Sequence, residues 1–203
     1  MNDLSAPKAS KHAQIIEAAV AEFQEKGFSA ASMDRISARA EVSKRTLYKY
    51  FESKENLFRS IVVELSNRFS KVQDIRYEKG RDIRAQLTDL AWAEGRILMS
   101  PEVMAMSRMV ISETLRNPDL AVAAQGKLDK TAIFSAMLKD AAEDGQLRID
   151  NPDIAGREFI GLIKSRAFWP MVFCGTVLSQ DEMSDTIQRS VEMMICRYGV
   201  DNR

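Results

Sequence analysis

Hydrophobic positions recur every three to four residues along almost the whole chain, the period of an amphipathic helix, and no run of alternating β-branched residues interrupts them. Near the start, Ile15, Ala19 and Phe23 share one face, which predicts a first helix from about Pro7 to Lys26. Gly27 then stands where a glycine commonly ends a helix. Ser32 is placed to cap a short second helix carrying Ile36 and Ala40. After a turn at Glu41 and Val42, Ser43 can cap a third helix, Lys44 to about Phe51. Ser53 can cap a fourth, running to about Arg76, with Glu55 in the first turn where a negative charge suits the helix dipole.

Longer helical patterns follow, separated by turn residues. Gly80 breaks the chain before "RDIRAQLTDLAWAEGRILM", and Pro101 fits the first turn of "PEVMAMSRMVISETLR". "NPD" at Asn117 opens a segment that reaches Gly145 with a break near Gly126. A second "NPD" at Asn151 opens "DIAGREFIGLIKSRAFWPMVF", and "SQDEMSDTIQRSVEMMICRYG" closes the pattern. The expectation is an all-α protein of about nine helices. The first three helices form a helix-turn-helix domain over residues 1–53, and a larger helical ligand-binding and dimerisation domain covers 54–203.

Composition narrows the possibilities. The 203 residues are 45% hydrophobic and 29% charged with a formal net charge of zero, so any basic surface must be local. Cys174 and Cys196 lie far apart and form no CxxC, which reads as a reduced cytosolic protein with two buried packing thiols. The N-terminus has no apolar signal region. The longest uncharged stretch, Ala167 to Gln180, is interrupted by Pro170 and Gly175 and is too short to span a bilayer, so it reads as core or interface. A soluble, cytoplasmic protein with no membrane partner follows. His12 is the sole histidine, HExxH, paired CxxC and GxGxxG are absent, and "GREFIGLIKS" keeps helical periodicity. No catalytic residue, metal or cofactor is therefore expected, and the chain does not read as an enzyme.

The third helix carries the chemistry. At 100° per residue, Leu47 and Phe51 point inward together, Arg45, Thr46 and Lys49 point away, and Tyr48 and Tyr50 occupy the flanks. Arginine can grip a guanine edge with two hydrogen bonds, lysine and tyrosine suit phosphates, and threonine can touch a thymine methyl. Capping serines and helix-terminal N–H groups at neighbouring helix starts can hold further phosphates. A helix, a short turn and such a second helix make the layout of a major-groove reader. A plain solvated face is the alternative.

The stretch "FQEKGFSAASMDRISARAEVSKRTLYKYFESKENLF", Phe23 to Phe58, resembles the DNA-binding domain of the TetR family of bacterial transcriptional regulators, most specifically in "VSKRTLYKYFESKENL". The resemblance implies that Ser32 meets phosphate; Ser43, at the next helix start, is a DNA-contact candidate by its capping position. It makes Lys44, Arg45, Thr46 and Lys49 the base-reading candidates, and assigns backbone contacts to Tyr48, Tyr50 and Lys54. It implies a double-stranded operator, a homodimer and a small-molecule inducer. Glu41 stands where family members usually carry glycine, which predicts a positive φ and slight strain there.

Resemblance continues more diffusely through "MSRMVISETLRNPDLA" and the last two helices, similar to the C-terminal domain of one repressor subgroup. Four of the eleven methionines fall between Met99 and Met109. Met99, Met106 and Met109, with Trp92, Trp169 and Phe173, are candidates to line a cavity for an apolar, aromatic or amphipathic inducer; plain core is the alternative. Arg166 shares a stripe with Phe159 and Ile163 and would meet either a buried carboxylate or an anionic ligand. Phe159, Ile163, Ile187, Val191 and Met194 lie on two amphipathic helices that could build a four-helix bundle with a second subunit, or could close the chain's own core. The reading is a repressor released from a palindromic operator by its inducer. The alternatives are a DNA-binding dimer without an inducer and a helical small-molecule enzyme or carrier.

Overall fold

The computed structural model describes residues 10–69, 75–124, 129 and 131–200. Among these are eleven helical segments and no strand. They are α1 (Lys11–Ala30), α2 (Met33–Arg39), α3 (Lys44–Tyr50), α4 (Lys54–Phe69), α5 (Ile83–Leu98), α6 (Pro101–Arg116), α7 (Pro118–Ala124), α8 (Thr131–Glu143), α9 (Pro152–Ala167), α10 (Trp169–Cys174) and α11 (Gln180–Tyr198). The all-α expectation holds, with two of the nine expected segments each divided. The first divides into α7 and α8; its break at Gly126 lies outside the described residues, as do the start at Pro7 and residues 70–74 of the fourth helix. The second divides at Phe168, because Pro170 has no N–H for the carbonyl of Arg166 and its ring would collide with that group.

By mutual contacts the chain forms two compact units: residues 1–65 with 105–127, and residues 66–104 with 128–203. This packing division does not follow a cut after residue 53.

In the first unit, each predicted capping serine makes its bond. Ser32, Ser43 and Ser53 accept from the backbone N–H groups of Arg35, Thr46 and Asn56 at 3.2, 3.1 and 3.1 Å. Gly27 adopts φ 76°, which turns the chain out of the main run of α1 before the short extension to Ala30. The apolar faces meet in a core of Ile15, Ala19, Ile36, Leu47, Phe51, Leu57 and Ile61, closed by the ring cluster Phe23, Phe28 and Phe58 with centroids 5.4–6.4 Å apart. His12 is the second residue of α1 with its ring 5.3 Å from that of Phe51.

The second unit is built on α5, α8, α9 and α11. Gly156 lets α9 approach α8 so closely that a Cβ there would sit 2.6 Å from Ser135 Oγ. Phe134 and Phe159 meet edge to face across the same contact at 5.5 Å. Leu147 bridges back to Gly199, with Arg148 N–H donating to the carbonyl of Tyr198 at 2.7 Å. Phe159, Ile163, Ile187, Val191 and Met194 are all buried within this unit. The stripe expected to meet a second subunit is therefore consumed by the chain's own core, because α9 and α11 pack these faces against α5, α8 and each other.

Cys174 and Cys196 also depart from expectation: both are exposed and outside any disulfide, one ending α10 and the other on the outer side of α11. No described helix is long and apolar enough to cross a membrane.

Candidate nucleic-acid interface

Helix α3 is held by one face and open on the other. Leu47 is fully buried and Phe51 nearly so, while Lys44, Arg45, Tyr48, Lys49 and Tyr50 are exposed and Thr46 is half-buried. Ser43 Oγ and Thr46 Oγ1 share a hydrogen bond at 2.8 Å, which orients the hydroxyls at the helix start. Lys44 Nζ donates to Asp34 Oδ2 at 2.7 Å, a solvated pair that a duplex can exchange for phosphate at small cost. Among the described residues, Arg45 and Lys49 have no ion-pair partner.

Two ion pairs fix α2, and through it α3, against α1. Arg35 Nε meets the buried Glu22 at 2.5 Å and its Nη2 donates to the carbonyl of Ala30. Arg39 Nη2 meets Glu25 at 2.5 Å, and with Lys26 it holds the Glu25 carboxyl down at about 2. The turn between α2 and α3 needs a left-handed residue, and Glu41 supplies it with φ 51°, the one described non-glycine residue in that region.

Lys54 is more committed to the protein than its sequence role suggests. Its ammonium donates to the carbonyls of Ser29 and Ala31 at 3.0 and 3.2 Å and lies 4.7 Å from the centre of the Phe28 ring. Two of its three N–H donors are thus engaged in tying α4 to the end of α1. Ser32 is half-buried and its Oγ is occupied by the cap. All nine candidate DNA-contacting residues lie in the first unit, those from Ser43 to Tyr50 consecutively on or beside α3.

The seven inducer candidates are divided between the two units. Met106 and Met109 are buried in the first unit; the other five belong to the second. Trp92 and Met99 line one cleft of about 460 Å³ together with Arg96 and Gln180. Arg166 lies on the surface, where it donates to the exposed Asp185 at 2.9 Å, so its partner is a carboxylate in solvent rather than in the core. Trp169 and Phe173 are 46% and 74% exposed with their rings stacked at 6.0 Å, an outward apolar surface rather than a cavity wall. Among the described residues, no group of three or more His, Cys, Asp or Glu could hold a metal.

One residue in the second unit escaped the sequence reading. Glu94 is fully buried, and neither carboxylate oxygen has a hydrogen-bond partner. Lys164 Nζ stands 3.6 Å from Oε1, near enough for attraction and too far for a hydrogen bond. Burial pushes the Glu94 carboxyl up from its ordinary range, opposed by the nearby ammonium. The available signal was a carboxylate lying on the apolar stripe Leu87, Leu90, Ala91 and Leu98 of α5.

Comparison with known proteins covers both units. The model for bacterial regulatory proteins of the tetR family matches residues 15–61, and that for the C-terminal domain of AefR-like transcriptional repressors matches residues 85–200. An HTH-type transcriptional repressor of Streptomyces coelicolor is 46% identical over 56 residues, 28% of this chain and 29% of that protein, so the likeness there is to less than a third of its length. A crystal structure of a TetR family transcriptional regulator from Pseudomonas syringae is 34% identical, with TM-score 0.84 over 95% of this chain and 98% of that one. The Flavonoid-responsive Regulator FrrA is 27% identical, with TM-score 0.72 over 94% and 98%.

Proposed function

The chain belongs to the TetR family of DNA-binding transcriptional regulators, and on that premise we propose that it is a repressor that binds a palindromic operator as a homodimer and leaves it when a small molecule binds. The observation that carries the reading is the outer side of α3. Two cations with no ion-pair partner among the described residues stand in solvent on a helix whose opposite side is anchored by Leu47 and Phe51. Arg45 would read a base edge, Lys49 a base edge or phosphate, and Tyr48 and Tyr50 the backbone on either flank.

A partner subunit would meet the outer faces of α9 and α11, since the inner faces are already core. Ile154 and Leu162 on α9 and Met193 on α11 are apolar side chains available there, α10 adds the exposed Trp169 and Phe173, and Gly161 leaves open space above the backbone. Two copies of α3 on one two-fold axis would then address half-sites about one helical turn, roughly 34 Å, apart. A similar protein is named for its response to flavonoids, which supports a small-molecule trigger for this chain as well. Release requires tighter ligand binding to the DNA-incompetent state, with coupling of about 1–3 kcal/mol typical of such regulators.

Genomic fragments selected by the purified protein, then footprinted, test the reading. The expected result is a protected, two-fold-related site occupied by two chains. Protection of one unrepeated half-site by a single chain would overturn it.

A further inference from the structure

Three glutamates are buried among the described residues, and they differ in their partners. Glu22 receives a hydrogen bond from Arg35 at 2.5 Å, and Glu113 one from Arg116 at 3.3 Å. Glu94 receives none at either oxygen. A buried carboxylate left without donors costs more free energy than a well-packed apolar residue in its place, so α5 carries a group that its own fold does not need.

Around Glu94 the second unit supplies one donor and two rings. Lys164 Nζ lies 3.6 Å from Oε1, and is 5.9 and 5.7 Å from the ring centres of Phe69 and Phe168. None of the three N–H donors of Lys164 is spent on a hydrogen bond within the described residues. Acceptor and donor therefore face each other as an ion pair just beyond hydrogen-bond length. A hydroxyl oxygen reaching both partners at ordinary hydrogen-bond length would satisfy them together, donating to the carboxylate and accepting from the ammonium.

We propose that Glu94 and Lys164 form a hydroxyl-recognising subsite of the second unit, and that its ligand is a neutral phenol whose ring lies against Phe69 and Phe168. This rests on the ligand-responsive reading above and gives it a chemical class. Charge selects against the other classes: an anion would face Glu94 and a cation would face Lys164, while Asp129, hydrogen-bonded by Thr131, adds a second carboxylate acting on Lys164. A hydrocarbon would leave both polar groups unpaired, and sites with unpaired buried groups reject the analogue that lacks the hydroxyl. Entry requires the Lys164 side chain to swing aside. Its four-carbon stem is flexible and its side chain is 23% exposed, so it has somewhere to go.

The full-length protein is titrated by calorimetry with 2-naphthol, 2-methylnaphthalene and 2-naphthoate, for the wild type and for Glu94→Gln, Glu94→Leu and Lys164→Met. The wild type is expected to bind 2-naphthol about 10–100-fold more tightly than either analogue, the range of hydrogen bonds to a charged group. Glu94→Leu, a near-isosteric apolar replacement, should abolish that preference while remaining folded. Glu94→Gln keeps an acceptor and should retain part of it, which guards against a folding defect in the leucine variant. Equal affinity for all three probes, binding of none, or an undiminished preference in Glu94→Leu would overturn the subsite. Operator binding is followed in parallel. If 2-naphthol binds through Glu94 but leaves operator affinity unchanged, the subsite stands and the inducer reading falls. If another compound releases the operator while 2-naphthol fails to bind, the reading stands and the subsite falls.

Discussion

In the first unit Glu22 is buried against a guanidinium at 2.5 Å, while Arg45 and Lys49 stand in water with no ion-pair partner among the described residues. In the second, Glu94 is buried with no hydrogen bond and its nearest cation stands 3.6 Å away. One unit satisfies its buried charge and leaves its surface charge open; the other leaves buried charge open. Open charge outside suits a large polyanion that brings its own phosphates. Open charge inside suits a small molecule that brings its own hydroxyl. The difference teaches that an unsatisfied group indicates a partner only when its surroundings are also considered, because the same ammonium costs little in water and much in a core.

The comparison can be broken most directly by removing one cation from each unit. Lys164→Met strands Glu94 and should destabilise the protein by up to about 3 kcal/mol in urea melts, below the full range for buried pairs because the carboxyl can take up a proton. Lys44→Met removes a partner from a solvated pair and should cost less than about 1 kcal/mol. Equal effects would remove the distinction between the units.

Acid should move the two units in opposite directions. Glu25, held near 2 by Arg39 and Lys26, contributes stability that is complete above its ordinary 4.5 and is lost as pH falls from 4.5 towards 2. Glu94 is raised above 4.5, so the folded state binds its proton more readily than the unfolded one. Its contribution is favourable below 4.5 and is lost as pH climbs through the raised value. Melts of Glu25→Gln and Glu94→Gln against pH should show the first variant flattening the acid limb and the second flattening a limb above pH 4.5.

The smallest effect sharpens the first unit alone. Glu41→Gly relieves a left-handed residue and should stabilise by no more than about 1 kcal/mol. It also removes a negative charge beside the reading helix, so DNA affinity should rise slightly and most visibly at low salt. A loss of affinity would mean that Glu41 makes a contact of its own.

Local chemistry made the first unit legible. Serine caps act within a few residues and occur where the pattern places them, whereas Gly27 turns the chain inside α1 rather than after it, and the left-handed Glu41 followed from the family resemblance. The inward and outward sides of α3 follow from the helical period alone. In the second unit, period identifies a buried face without identifying what buries it. Phe159, Ile163, Ile187, Val191 and Met194 were separated correctly from the polar face, yet their neighbours are helices of the same chain. Trp169 and Phe173 failed as pocket walls for the converse reason, since Pro170 starts a new short helix that turns their rings outward. Glu94 was overlooked because a single carboxylate among leucines breaks a pattern only slightly, whereas its missing hydrogen bonds exist only in three dimensions.

The measurement closest to the central claim is operator affinity as a function of salt, for the wild type and for the Arg45→Ala, Lys49→Ala double variant. Both residues are exposed, so the variant should keep its helical content, melting behaviour and oligomeric state. A base contact of this kind is worth about 1–3 kcal/mol, and each lost phosphate contact should lower the salt slope by about 1. The account predicts a steep slope for the wild type, loss of operator preference in the variant and a shallower residual slope. The same operator affinity and the same slope in both proteins would contradict it.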